Sequence, residues 1–346
     1  MNVKAAFELQ AQACEALGSP FTALVLTLLP GLLRPGNPVA DRILAWPGDL
    51  THRGDSVPLR LAGGLHALAR TGEMPELSAL YPPGSLPSSE ALKHGMATAL
   101  DRHSAPLLAA LDHPPQTNEV ARSAVLIAAG NTLAGRFGLP FRLLELGASA
   151  GLNLYWDRYA LDLGTRLIGP ADSGVVLRPD WTGKHPQNAT VSIASREGVD
   201  LNPLDPNNRV DQERLLSYIW PDQSDRLNRM KNAFVVAASD PVRVDRADAI
   251  DWLAKKLDRP VPDQLTWIFH TVAWQYLPLA LQNRGAEIIR AAGQRASKSA
   301  PLAWFSMEGD GGERGAALVL RLWPGNVRMN LGRADFHGRW VEWAEG

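Results

Sequence analysis

A chain of 346 residues, 45% of them apolar, can bury a sizeable core and is long enough for two domains. Its 35 basic and 36 acidic residues are interspersed, leaving a net charge of −1 and no clustered basic face for nucleic acid. The single cysteine, Cys14, excludes an intramolecular disulfide and a multi-cysteine metal site, and its apolar helical setting reads as core filling.

Lys4 and Glu8 stand where a signal peptide would carry its apolar stretch. The run Phe21 to Leu33 is broken by Pro30-Gly31 and falls short of the roughly 20 residues that span a bilayer. The expectation is a cytoplasmic protein without a membrane partner. Residues 2–138 read as all-helical. Phe7, Leu9, Ala13 and Leu17 begin the first helix, which Gly18-Ser19-Pro20 stops. A second helix holds the run to Leu33. Leu61, Leu65, Leu68 and Ala69 mark one face of a third. A longer helix is predicted from Asn118 to Phe137, capped by Thr117 or Asn118, with Val120, Ala124, Ile127, Ala128 and Ala134 buried.

From residue 139 the pattern changes to strands alternating with helices, which implies parallel strands with right-handed crossovers. Strands are predicted at Phe141–Leu146, Thr190–Ala194, Val242–Val244, Leu265–Val272, Leu302–Ser306 and Ala316–Leu322. Val327–Leu331 and Arg339–Trp343 add hairpin strands at the end. Residues 161–189, rich in proline and glycine, read as an insertion that either covers or fills the ligand crevice.

The first strand runs into Gly147-Ala148-Ser149-Ala150-Gly151, where glycines let a ligand approach the main chain. Glu145 precedes it and would repel a pyrophosphate, but suits a cofactor presenting an amine or ribose hydroxyls. Asp200, after the second strand, can accept from a ribose diol. Asp248-Ala249, after the third, can accept from an adenine amino group. His270, Gln275 and Tyr276 close the fourth strand, where a base or substrate contact would sit, and Glu308 closes the fifth. The histidines are too scattered for a metal set.

The series Glu145-x-Gly147-x-x-x-Gly151, Gly198-Val199-Asp200 and Asp248-Ala249 resembles class I S-adenosylmethionine-dependent methyltransferases. The resemblance covers residues 139–346 and implies their Rossmann-like α/β fold: a seven-strand, mostly parallel sheet with an antiparallel last strand, here preceded by an all-α domain. It implies S-adenosylmethionine as cofactor, held by Glu145, Gly147, Ala148, Ser149, Gly151, Asp200, Asp248 and Ala249. His270 and Tyr276 would then be catalytic, and the substrate a small or medium polar molecule. The pattern departs from the family in having Ser149 for the middle glycine. The whole chain is also similar to a narrower bacterial family of unassigned activity, through Thr117-Asn118-Glu119-Val120-x-Arg122, Arg196-x-Gly198-x-Asp200-x-x-Pro203-x-Asp205, Trp220-Pro221-Asp222-Gln223, His270-Thr271-Val272-x-Trp274-Gln275-Tyr276 and His337-Gly338-Arg339. On that likeness Asn118, Glu119, Arg122, Arg196, Asp205 and Gln275 become substrate or lid candidates. Two alternatives stand beside methyl transfer. Gly147-x-Ser149-x-Gly151 also spells a nucleophile elbow, making Ser149 a hydrolase nucleophile with Asp248 and His270 or His337 as partners. Or the fold is kept as a non-catalytic cofactor-binding scaffold.

Overall fold

The computed structural model describes residues 1–312 and 314–344. The chain divides into two compact units, residues 1–117 with 209–228, and residues 118–208 with 229–346.

The first unit is helical. Its helices Val3–Ala16, Pro20–Leu28, Pro38–Leu44, Val57–Thr71, Ser89–Arg102, Ser104–Leu111 and Arg209–Ser217 enclose an aliphatic core. Asn2, Ser19, Asn37 and Ser88 start four of them by accepting from first-turn amides. Leu61, Leu65, Leu68 and Ala69 are buried together, as their spacing predicts. Side chains explain why residues 209–228 join this unit. Asp222 accepts from Ser19 Oγ at 2.5 Å and from the Phe21 amide at 2.9 Å, and Arg70 pairs with Glu213 at 3.0 Å. Burial pushes His66 down to about 3, so its neutral ring donates from Nδ1 to the Ser217 carbonyl at 3.0 Å. Cys14 is buried, and burial pushes its thiol up to about 11, far from a reactive thiolate.

The second unit is built on β-strands: β1 (Phe141–Leu146), β2 (Ala160–Asp162), β3 (Leu167–Ile168), β4 (Val176–Leu177), β5 (Asp180–Gly183), β6 (Ile193–Asp200), β7 (Val244–Arg246), β8 (Leu265–Thr271), β9 (Leu302–Glu308), β10 (Ala316–Trp323), β11 (Val327–Ala334) and β12 (Trp340–Trp343). Among the described residues, nine form one sheet in the order β5-β12-β11-β10-β9-β8-β1-β6-β7. The strands from β7 to β9 are all parallel, β10, β11 and β12 follow as an antiparallel meander, and β5 pairs parallel to β12. The fold is thus mixed α/β with a mostly parallel sheet, as expected, but the sheet has nine strands rather than seven. The residue pattern itself places eight of the nine, the hairpin strands Val327–Leu331 and Arg339–Trp343 included; residues 180–183 of the insertion add the ninth as an edge strand.

The insertion has its own order. β2, β3 and β4 form a separate three-stranded sheet, and the Ala189 amide donates to Asn131 at 2.9 Å. The helix predicted from Asn118 begins at Ser123, after a 3₁₀ turn over Val120–Arg122, and it belongs to the sheet unit. Its predicted stripe is buried throughout.

Alternation along the strands gives the sheet two apolar faces. Leu144, Leu146, Val199, Ile268 and Leu302 pack against Trp252, Leu253 and Ile289 of the helices Ala249–Lys256 and Leu279–Gln294. Phe141, Leu143 and Glu145 face the other way, where Trp267 lies 5.7 Å from Phe141 and 5.2 Å from Trp156. Trp156 occupies the space a side chain would need at Gly130, in the middle of the helix Ser123–Phe137. Gly130→Ala should therefore cost about 1–3 kcal/mol by overpacking, although alanine is the better helix former. Urea unfolding checks this; a variant as stable as wild type contradicts the packing.

Candidate functional site

Strand order reverses beside β1: the chain first moves to β6 and β7 on one side, then returns to β8 and β9 on the other. In open α/β sheets the crevice at the carboxyl ends of the strands flanking such a reversal is the usual ligand site. Glu145 and the loop 147–151, Asp200, Thr271 and Glu308 all stand at that edge, and Asp248 follows β7 by two residues.

The loop glycines have local reasons. Gly147 has φ +69°, and a Cβ there would lie 2.5 Å from the Cβ of Ala273, in the turn after β8. Gly151 has φ +71° and faces Val244, and Gly198 faces the Ala148 methyl. The loop amides are committed as well. Gly147 and Ala148 donate to the Val199 carbonyl, Ser149 to Asp200 Oδ2 at 2.9 Å, Gly151 to the Ala148 carbonyl, and Leu152 to Asn118 Oδ1 at 2.9 Å. A phosphate-binding loop instead turns such amides toward its ligand. Ser149 sits at φ +54°, buried at the apex.

The acids differ in how they are satisfied. Asp200 accepts from the Ser149 and Asn202 amides, one on each oxygen, and is half-buried. Asp248 caps the helix Ala249–Lys256, its Oδ1 accepting from Ile250 and Asp251, while Ala249 packs at the edge of the apolar face. Glu145 is 2% exposed, and its Oε2 has no hydrogen-bond partner. Burial first, then the neighbouring Asp200 charge, push its carboxyl well above the usual range, against a smaller pull from Arg122.

Residues 118–122 close over this face. Besides Asn118, Glu119 accepts from the Ala121 amide and pairs with Arg229 at 3.5 Å. Arg122 donates to the carbonyls of Phe336 and Thr271 at 2.8 and 2.9 Å. Gly338 lies so close to Ala121 that a Cβ would overlap its backbone. The stretches Asn118–Arg122, His270–Tyr276 and His337–Arg339, far apart along the chain, therefore meet at the Glu145 edge.

The residues after β8 are arranged otherwise than the sequence reading expects. His270 lies on the face of Leu144 and Ile268, opposite Glu145, and is 1% exposed. Trp304 Nε1, which can only donate, gives its proton to His270 Nε2 at 2.9 Å, so His270 Nδ1 carries the hydrogen donated to Glu308 at 2.7 Å. Both ring nitrogens are committed, so His270 is not poised as a general base. Tyr276 is 74% exposed, and Gln275 accepts from the Gly309 amide. Arg196 is drawn away from the edge, holding Asp157 through two bonds of 2.6 and 2.8 Å. Asp205 is exposed and accepts from the Asn207 amide in a turn of its own. Trp304 carried no sequence signal, because its role depends on β9 lying beside β8.

A family model described as "Uncharacterized protein conserved in bacteria (DUF2332)" matches residues 4–343. The chain belongs to that family. No curated protein and no solved structure matches it. Among the described residues no helix is long and apolar enough to cross a membrane.

Glu145 has a measurable consequence. A carboxyl raised in the folded state contributes stability that is fully present below its unfolded value, near 4.5, and is lost as pH rises through the folded value. Glu145→Gln removes that loss. Its melting temperature should exceed wild type by about 2–4 °C at pH 8, with the gap closing toward pH 4.5. Calorimetry across this range checks it; a gap independent of pH refutes the assignment.

Proposed function

We propose that the carboxyl edge around Glu145 binds a phosphate-free adenosyl cofactor, S-adenosylmethionine, for methyl transfer to a small or medium polar substrate. The observation that carries this reading is the combination at one edge of acids and spent amides. Glu145 is the penultimate residue of β1, Asp200 ends β6 and Asp248 follows β7, three adjacent parallel strands, while the amides of Gly147, Ala148, Ser149 and Gly151 are used within the protein. Such an edge accepts amines and hydroxyls and disfavours phosphates. Asp200 keeps acceptor capacity on both oxygens for a ribose diol, and the orphaned Glu145 oxygen lacks a hydrogen-bond partner that a cofactor hydroxyl could supply. The sheet order β7-β6-β1-β8-β9 is that of the doubly wound nucleotide folds and supports the same reading. When bound, the sulfonium supplies the reactive methyl; this chain's residues bind, orient and exclude water. A cytoplasmic setting is part of the proposal.

A second reading rests on Ser149, whose φ of +54° directly after a central strand resembles a nucleophile elbow. It requires an imidazole for Ser149, and both nitrogens of His270 are committed elsewhere.

Calorimetry with S-adenosylmethionine and S-adenosylhomocysteine tests the proposal. The wild-type chain should bind, and Asp200→Ala and Glu145→Ala should each weaken binding about tenfold or more. Absence of heat at millimolar ligand sinks it. A fluorophosphonate probe that labels wild type but not Ser149→Ala would move the assignment to the hydrolase reading.

A further inference from the structure

Glu308, the last residue of β9, gathers donors from the end of β8. Its Oε1 accepts from His270 Nδ1 at 2.7 Å and from the Ala273 and Trp274 amides at 3.0 Å each, and its Oε2 accepts from the Gln275 amide at 3.3 Å. The Gln275 side chain reciprocates by accepting from the Gly309 amide at 2.9 Å, and the Val272 amide donates to the Met307 carbonyl at 2.8 Å. Behind this, the Trp274 ring stacks on His270 with centroids 4.9 Å apart, and Trp304 fixes the other ring nitrogen. Three successive amides aimed at one anion form a backbone nest of the kind that binds external anions; here an internal carboxylate fills it.

The turn so held is costly. Val272 has φ +55°, a region that a β-branched side chain avoids and that persists only where its surroundings impose it. The next residue, Ala273, is the one whose methyl occupies the space in front of Gly147. The chain of contact therefore runs from Glu308, through a strained turn, to the glycine loop.

We infer that Glu308 is a positioning residue: its carboxylate locks the turn 272–275 in the conformation that seats Ala273 against Gly147, and so sets the shape of the candidate cofactor loop. Burial pushes the Glu308 carboxyl up, but the bonds from His270 and the turn amides outweigh burial and hold it below its usual range. The carboxylate is thus charged at neutral pH, where its bonds to the turn are strongest. The functional meaning of the lock rests on the proposed cofactor reading; the lock itself does not.

The test uses the full chain with Glu308→Gln, which keeps shape and removes charge, and Glu308→Ala, which empties the nest. Hydrogen exchange at the Ala273, Trp274 and Gln275 amides reads the lock directly. Exchange there should be about tenfold faster in Glu308→Gln, and faster still in Glu308→Ala, with β1 amides unchanged. Affinity for S-adenosylmethionine should fall about tenfold in Glu308→Ala. Formate, which can re-enter the nest, should restore both the exchange protection and the affinity; chloride at equal ionic strength should restore neither. Unchanged exchange at the three amides in both variants overturns the inference. So does a folded Glu308→Ala chain that formate does not alter. If Glu308→Ala fails to fold, the Glu308→Gln exchange decides alone. If wild type binds no S-adenosylmethionine, the proposed function fails, while exchange and formate protection still decide the role of Glu308.

Discussion

The close approach of Ala273 to Gly147 is the constraint on which the edge of the sheet depends. Two chain turns, one after β1 and one after β8, meet where neither has room for another methyl group. Gly147 supplies that room and a left-handed backbone together. Gly151 repeats the arrangement against Val244, and Gly198 supplies room alone for the Ala148 methyl. Glycines that a sequence reader takes for a ligand cradle are thus needed first to let the protein's own strands and turns come together. Whatever binds at this edge meets a preformed loop whose amides are largely spent, not an open ring of donors.

Electrostatics then separates the acids. Asp200, Asp248 and Glu308 each accept from backbone amides, which satisfy their oxygens without another charged side chain. Glu145 does not receive this treatment. It is buried on the face covered by residues 118–122, with one oxygen unpartnered and with Arg122 turned toward two carbonyls. A carboxyl in such a place is the least comfortable polar group at the edge, and an unsatisfied buried group calls for an explanation that packing cannot supply. That sets Glu145 apart from His270, whose two ring nitrogens are both partnered.

Much of the fold was legible in local sequence. The Phe141–Leu146 strand lies between Pro140 and Gly147, and the apolar run Leu265–Thr271 is fully buried, so both could be read from composition alone. Strand β6 was less legible. Its residues Arg196 and Glu197 look like surface, yet Arg196 pairs with Asp157, and Glu197 with Arg142 and Lys256, all from other elements. The edge strand Asp180–Gly183 has no pattern of its own, because its partner Trp340–Trp343 lies near the other end of the chain. The segment 209–228 joins the helical unit through Asp222 and Glu213, whose partners are equally remote.

The sequence by itself determined the apolar periods, the glycine loop and the presence of acids near the ends of successive strands, because each depends on residues a few positions apart. The cap expected at Thr117 or Asn118 did not form, since Asn118 is drawn to the Leu152 amide. The tertiary structure decided which of those acids is left unsatisfied and which face each side chain takes. His270 and Glu145 each lie one residue from the end of neighbouring strands, yet register places them on opposite sides of the sheet. Register is a property of pairing between distant segments, and a shift of one residue would exchange the two faces.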